Sequence, residues 1–124
     1  MDRKFRLLII DDNEEILTTL KSFLSKKNYF VVSASNGLDA LKLIEAAKDD
    51  FDLVITDLVI PNISGVAVTA IIKQQTPKMP VIAITGYGEQ PEALAKEVHA
   101  DIVMEKPFKL DVLEKNIKQL LTKG

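Results

Sequence analysis

Five short apolar runs rich in β-branched residues, at positions 5–10, 30–34, 53–56, 81–84 and 102–104, are each followed by a stretch patterned for a helix. Such runs, four to eight residues long and bounded by polar or turn-forming residues, read as strands. The stretches between them carry apolar residues at helical spacing. They are Ile16, Leu17, Leu20, Phe23 and Leu24; then Leu38, Leu41 and Ile44; then Val66, Val68, Ile71 and Ile72. A fourth helix is expected over 89–98, and a fifth is marked by Leu110, Leu113, Ile117, Leu120 and Leu121. Strict alternation of strand and helix predicts a parallel sheet, because each parallel step needs a crossover, normally helical and right-handed. The class is α/β. Strands covered on both faces are apolar almost without alternation, and four of the runs read that way. The run at 30–34 is more mixed and suits an edge.

The chain has 124 residues, enough for one core and too few for two, so residues 1–124 are expected to form a single domain. No linker, repeat or low-complexity segment interrupts it, and no output domain is visible after the last predicted helix. Ser64 is placed to cap the third helix, and Pro77 and Pro80 close the segment before the fourth strand. Net charge is -2 and the lysines are scattered, which leaves no cationic stripe for a nucleic-acid backbone. Cysteine is absent, removing disulfides and thiolate chemistry, and no apolar run is long enough to span a bilayer. Together these lead to the expectation of a cytoplasmic protein without direct nucleic-acid binding.

Chemistry-bearing residues stand where the strands stop. Asp11 and Asp12 end the first, Asp57 the third and Thr85 the fourth, and Lys106 and Pro107 follow the fifth. Taken alone, Asp11 and Asp12 could simply cap the first helix, and Thr85-Gly86 could be ordinary turn chemistry. In a doubly wound sheet, however, ligands bind at the carboxyl ends of the strands, where these residues converge. Carboxylates about 4 Å apart repel by about 4 kcal/mol per pair at an effective dielectric of about 20, so a cation must sit among them. Without His or Cys nearby, an all-oxygen set suits Mg²⁺. A carboxylate flanked by Mg²⁺ and the Lys106 ammonium can attack a phosphoryl group, which makes Asp57 the candidate nucleophile.

Asp11-Asp12, Asp57 followed by Pro61 and Gly65 at D-x-x-x-P-x-x-x-G spacing, Thr85-Gly86 and Lys106-Pro107-Phe108 together resemble the receiver domain of two-component response regulators, in order along the whole chain. The resemblance implies a flavodoxin-like (βα)5 fold with strand order 2-1-3-4-5. It implies Asp57 as phosphoacceptor, Asp12 as a direct Mg²⁺ ligand, Asp11 as a ligand through water, and the Val59 backbone carbonyl as a further ligand. Lys106 would contact the phosphoryl oxygens, Thr85 would swing inward to one of them, and the Lys106-Pro107 bond would be cis. The donor would be a histidine kinase or a histidine phosphotransfer domain, and the domain would catalyse both its own phosphorylation and the later hydrolysis. An output partner would meet the face formed by the fourth helix, fifth strand and fifth helix, where Lys115, Asn116 and Gln119 are candidates.

Two positions depart from the family pattern. Val103 stands where an aromatic residue is usual, so the response of that face is expected to be weaker or to run through the backbone. His99 stands where glycine often closes the fourth helix in the left-handed region, a geometry histidine tolerates better than most residues. Val59 and Tyr87 flank the site and are expected to hinder an attacking water, giving a long-lived phosphorylated form.

Other function classes fit less well. An Mg²⁺-dependent aspartyl-phosphate hydrolase of one large family needs a second acid two residues after the nucleophile, where this chain has Val59. A receiver-like module that only binds protein would usually lack one of the acids or the lysine. A dinucleotide or flavin site would need a G-x-G-x-x-G after the first strand.

Overall fold

The structure is a computed structural model, and it describes residues 4–47, 50–86 and 98–122. Five strands are present: β1 (Arg6–Ile10), β2 (Phe30–Ala34), β3 (Leu53–Asp57), β4 (Val81–Thr85) and β5 (Ile102–Glu105). Four helices lie among the described residues: α1 (Glu14–Lys26), α2 (Gly37–Ala47), α3 (Gly65–Gln75) and α4 (Leu110–Leu121). The helix expected over 89–98 lies outside the described residues except for Val98, which is helical. All strand pairs are parallel, as the alternation predicts, and their order β2-β1-β3-β4-β5 is the one the family resemblance implies.

The sheet divides its side chains between two cores because successive residues of a strand face opposite ways. Leu7, Ile9, Leu53, Ile55, Ile82 and Ile84 pack with Leu17, Leu20 and Leu24 of α1 and with Leu113 and Ile117 of α4. Leu8, Ile10, Val54 and Val81 pack with Ala40 and Ile44 of α2 and Val68 and Ile72 of α3. Every residue of β3 and β4 is buried, which is why those strands read as unbroken apolar runs. β2 is an edge strand as expected, with Phe30 exposed. β5 is the other edge.

Side-chain hydrogen bonds start α1, α2 and α3, whereas α4 begins after Lys109 without a side-chain cap. The Asn13 side chain accepts from the Ile16 N–H and caps α1, and Ser64 does the same for Ala67 and α3. Before α2, Asn36 accepts from the Asp39 N–H at 2.8 Å while its amide donates to the Asp39 carboxylate at 3.0 Å. At the opposite pole, Lys73 of α3 donates to the Met79 carbonyl and to Asp101, each at 2.7 Å, and Asp101 accepts from the Val81 N–H at 2.8 Å. That network ties the end of α3 to the starts of β4 and β5.

His99 has φ 62, the left-handed conformation anticipated for this position. A side chain there costs about 1 kcal/mol relative to glycine, less the greater chain entropy that glycine loses on folding. His99→Gly is therefore expected to raise stability by about 0.5 kcal/mol, read as a higher midpoint in denaturant unfolding with an unchanged slope.

Candidate functional site

The end of β1 passes Asp11 into the space between β3 and the segment after β5. Asp11 is 2 % exposed and Asp57 7 % exposed, an uncommon depth for carboxylates. The Lys106 ammonium bridges them, donating to Asp57 Oδ2 at 2.6 Å and to Asp11 Oδ2 at 3.3 Å. Residues separated by 49 and 95 positions in sequence thus meet at one nitrogen. The other oxygens are held by backbone: Asp57 Oδ1 accepts from the Val59 N–H at 2.9 Å, and Asp11 Oδ1 from the Asn13 N–H at 2.9 Å. Asp11 therefore orients the turn into α1, while Asn13 rather than either acid caps that helix.

Thr85 closes β4 at 3 % exposure, with its Cα paired to Glu105 and its carbonyl accepting from the Lys106 N–H at 2.9 Å. That bond carries the sheet register directly to the lysine. The Lys106-Pro107 peptide is cis. Val103 packs against a small cluster of Leu58, Ala83 and Val98 on the face that also carries Thr85. Tyr87 lies outside the described residues.

Asp12 is exposed, and the structure does not bring its carboxylate into the bridge made by Lys106. Among the described residues no group of three or more His, Cys, Asp or Glu side chains is placed to hold a metal ion. In this arrangement the Lys106 ammonium lies between the carboxylates of Asp11 and Asp57.

Burial pushes the Asp11 carboxyl above its ordinary value of 3.8; the Asn13 N–H and the Lys106 charge oppose the rise, and the Asp57 charge adds to it. Lys106 is also raised: burial alone would lower it, but the hydrogen bond to Asp57 and the charges of Asp11 and Asp57 outweigh that effect. An acid with a raised folded-state value contributes stability below its unfolded value and loses it as pH climbs through the folded value. Ionised Asp11 is thus a burden on the fold at neutral pH. Asp11→Asn, which keeps an oxygen for the Asn13 N–H, is expected to raise the thermal midpoint at neutral pH. The gain should vanish well below 3.8, which thermal melts across acid pH would record.

Gly65 is the feature whose role the sequence did not reveal. It lies at the start of α3 with its N–H bonded to the Leu58 carbonyl at 3.0 Å, and a Cβ there would come 2.1 Å from the Asp57 carbonyl oxygen. The helix packs on the backbone of the candidate nucleophile itself. A parallel contact holds Gly37, where a Cβ would come 2.2 Å from the Ile63 carbonyl oxygen.

Comparison with known proteins agrees with this geometry. Residues 7–118 match the family model described as response regulator receiver domain. The chain is 33% identical over 120 residues to the alkaline phosphatase synthesis transcriptional regulatory protein PhoP of Bacillus subtilis, covering 96% of this chain and 49% of that protein. It thus spans about half the length of that relative. A response regulator receiver domain from Clostridium thermocellum superposes with a TM-score of 0.89 at 31% identity, covering 96% of this chain and 95% of that one. The response regulator TrrA from Thermotoga maritima, solved in complex with Mg²⁺-BeF, superposes with a TM-score of 0.84 at 33% identity, covering 94% and 99%. The chain belongs to the response regulator receiver domain family.

Proposed function

We propose that this receiver domain takes a phosphoryl group onto Asp57 in a Mg²⁺-dependent reaction and that the modification shifts its conformation. The observation carrying the reading is the Lys106 ammonium shared between the two buried acids, Asp57 and Asp11, at the carboxyl ends of the strands. In the reaction a carboxylate oxygen of Asp57 forms a bond to phosphorus while the bond from phosphorus to the donor breaks, and the leaving group keeps that electron pair. Lys106 follows the transferred group and stabilises charge on its outer oxygens. The Val59 N–H keeps the carboxylate aimed, and the Thr85 hydroxyl turns in to donate to a phosphoryl oxygen. The carboxylates of Asp57 and Asp11, with that of Asp12 turned toward them, and the Val59 carbonyl would hold Mg²⁺ as an all-oxygen set, and the ion would offset charge on the phosphoryl oxygens. The TrrA complex with Mg²⁺-BeF supports the assignment by similarity.

The donor is a histidine kinase or a histidine phosphotransfer domain, and the phosphoimidazole is its reactive group. The output partner reads the face that includes β5 and α4, with Lys115, Asn116 and Gln119 among its candidates. No helix among the described residues is long and apolar enough to cross a membrane, and we place the domain in the cytoplasm. Residues 1–124 act as one receiver unit. Incubation with acetyl phosphate and Mg²⁺ tests the reaction: intact mass should show one added phosphoryl group, none with Asp57→Asn, and little when Mg²⁺ is chelated.

Val59 is 79% exposed beside Asp57, and with Tyr87 it is assigned to hindering water at the acyl phosphate. The phosphorylated form is accordingly expected to persist for minutes or longer after the donor is removed, and Tyr87→Ala should shorten it. Decay within seconds would defeat that assignment.

A further inference from the structure

At the pole of the sheet opposite Asp57, a cavity of about 500 Å³ opens between the start of β1, the loop from α1 to β2 and the end of α4. Its apolar surface comes from Phe5, Tyr29 and Leu121, and three lysines, Lys4, Lys27 and Lys118, also line it. Lys118 lies 3.7 Å from Glu114, a carboxylate that also accepts from the Tyr29 hydroxyl at 2.9 Å. Among the described residues neither Lys4 nor Lys27 has a carboxylate within ion-pair distance. The Lys27 ammonium is instead held over the Phe23 ring, 5.6 Å from its centroid. No acidic side chain lines the cavity, and the nearby Glu114 is already engaged, whereas among the described residues Lys4 and Lys27 have no carboxylate partner. This occurs in a chain with 18 acidic and 16 basic side chains, where lysines would find carboxylates readily.

We propose that this cavity binds a small organic anion: an aromatic or aliphatic body seated against Phe5, Tyr29 and Leu121, with a carboxylate or phosphate meeting Lys4, Lys27 and Lys118. Its size falls in the range of small-molecule sites, and an apolar floor with a few convergent charges is the usual composition of one. The aromatic edge favours a flat ligand body, and the separated ammonium groups favour an anion over a neutral polar group. The cavity shares no residue with the bridge at Lys106.

Amide chemical-shift titrations with benzoate and phenyl phosphate, with phenol and inorganic phosphate as comparisons, decide the matter. Both aryl anions should give saturable shifts at Asn28, Tyr29 and Leu121, phenol and inorganic phosphate much weaker ones. The double variant Lys4→Gln, Lys27→Gln should weaken the aryl anions about tenfold at low ionic strength, as expected for two rim charges, and added salt should weaken them in the native chain. Asp57→Asn should leave them unchanged. Absence of saturable shifts at this pole, equal response to phenol, or binding untouched by the double variant would each overturn the proposal.

Discussion

A single methyl group added at Gly65 should cost the fold about 3 kcal/mol and slow phosphorylation, while the same addition at Gly86 should change stability by less than about 0.5 kcal/mol. The difference lies in what the new carbon meets. At Gly65 it would approach the Asp57 carbonyl oxygen to 2.1 Å and the Leu58 Cα to 2.6 Å, both backbone atoms of a fully buried strand end, where no side-chain rotation relieves the clash. Either α3 lifts from the sheet or Asp57 is displaced from Lys106. At Gly86 nothing among the described residues lies within 4 Å, and the lost freedom of the unfolded chain even favours alanine slightly. Paired denaturation curves and acetyl phosphate kinetics for the two variants would check this, and equal losses at both sites would contradict it.

Removing the amine of Lys106 should have a comparable effect by an electrostatic route. In Lys106→Ala the carboxylates of Asp11 and Asp57, with side chains 3% and 9% exposed, face each other without a cation. Breaking a fully buried pair costs about 3 to 5 kcal/mol; because Lys106 is itself 30% exposed, about 2 kcal/mol is expected at neutral pH. The sign with pH follows from the acids left behind. Asp11, already raised by burial, rises further once the Lys106 charge that opposes the rise is gone, so the variant's deficit is largest above that folded-state value and shrinks as acidification protonates Asp11. Mg²⁺ should restore more stability to this variant than to the native chain. Phosphoryl transfer should fall on the order of 10²-fold, the usual loss when one charge-stabilising donor is removed from a transition state. Urea unfolding at neutral and acid pH, with and without Mg²⁺, separates this from simple loss of packing, for which the deficit would not depend on pH.

Much of this arrangement was readable before any coordinates. β3 and β4 are buried on both faces, so their sequences open on unalternating apolar runs; the parallel pairing follows from the helical crossovers, while the strand order came from the family resemblance. Asp57, Thr85 and Lys106 were found because each interrupts or follows such a run at its carboxyl end, where an apolar strand has no other use for it. The cap at Ser64 was legible as a local property of one turn, and the left-handed His99 was anticipated from the glycine usual at that place in the family.

What escaped the sequence depends on distances between elements. Gly65 stood out in the sequence only as the last position of the motif that follows Asp57, and its contact with the Asp57 backbone explains why glycine is there. Asn13 looked secondary to two aspartates, yet Asp11 turns inward to Lys106 and leaves the capping to its neighbour. Tyr29 and Glu114, hydrogen-bonded across 85 positions, carry no pattern that periodicity could detect. Burial and the Glu114 carboxylate drive the Tyr29 phenol far above its ordinary value, so it stays protonated and fixes α4 to the start of β2. The extent of the acid cluster was also hidden, since adjacent aspartates point to different surroundings: Asp11 is buried and Asp12 exposed.

The central claim is that Asp57 itself carries the phosphoryl group. After reaction with acetyl phosphate and Mg²⁺, borohydride reduction converts an aspartyl phosphate to homoserine, and peptide mass spectrometry locates the converted residue. Homoserine at position 57, and at no other acid of the site, is the predicted result. Conversion at Asp11 or Asp12 instead, or a phosphorylated protein with residue 57 unchanged, would contradict the account.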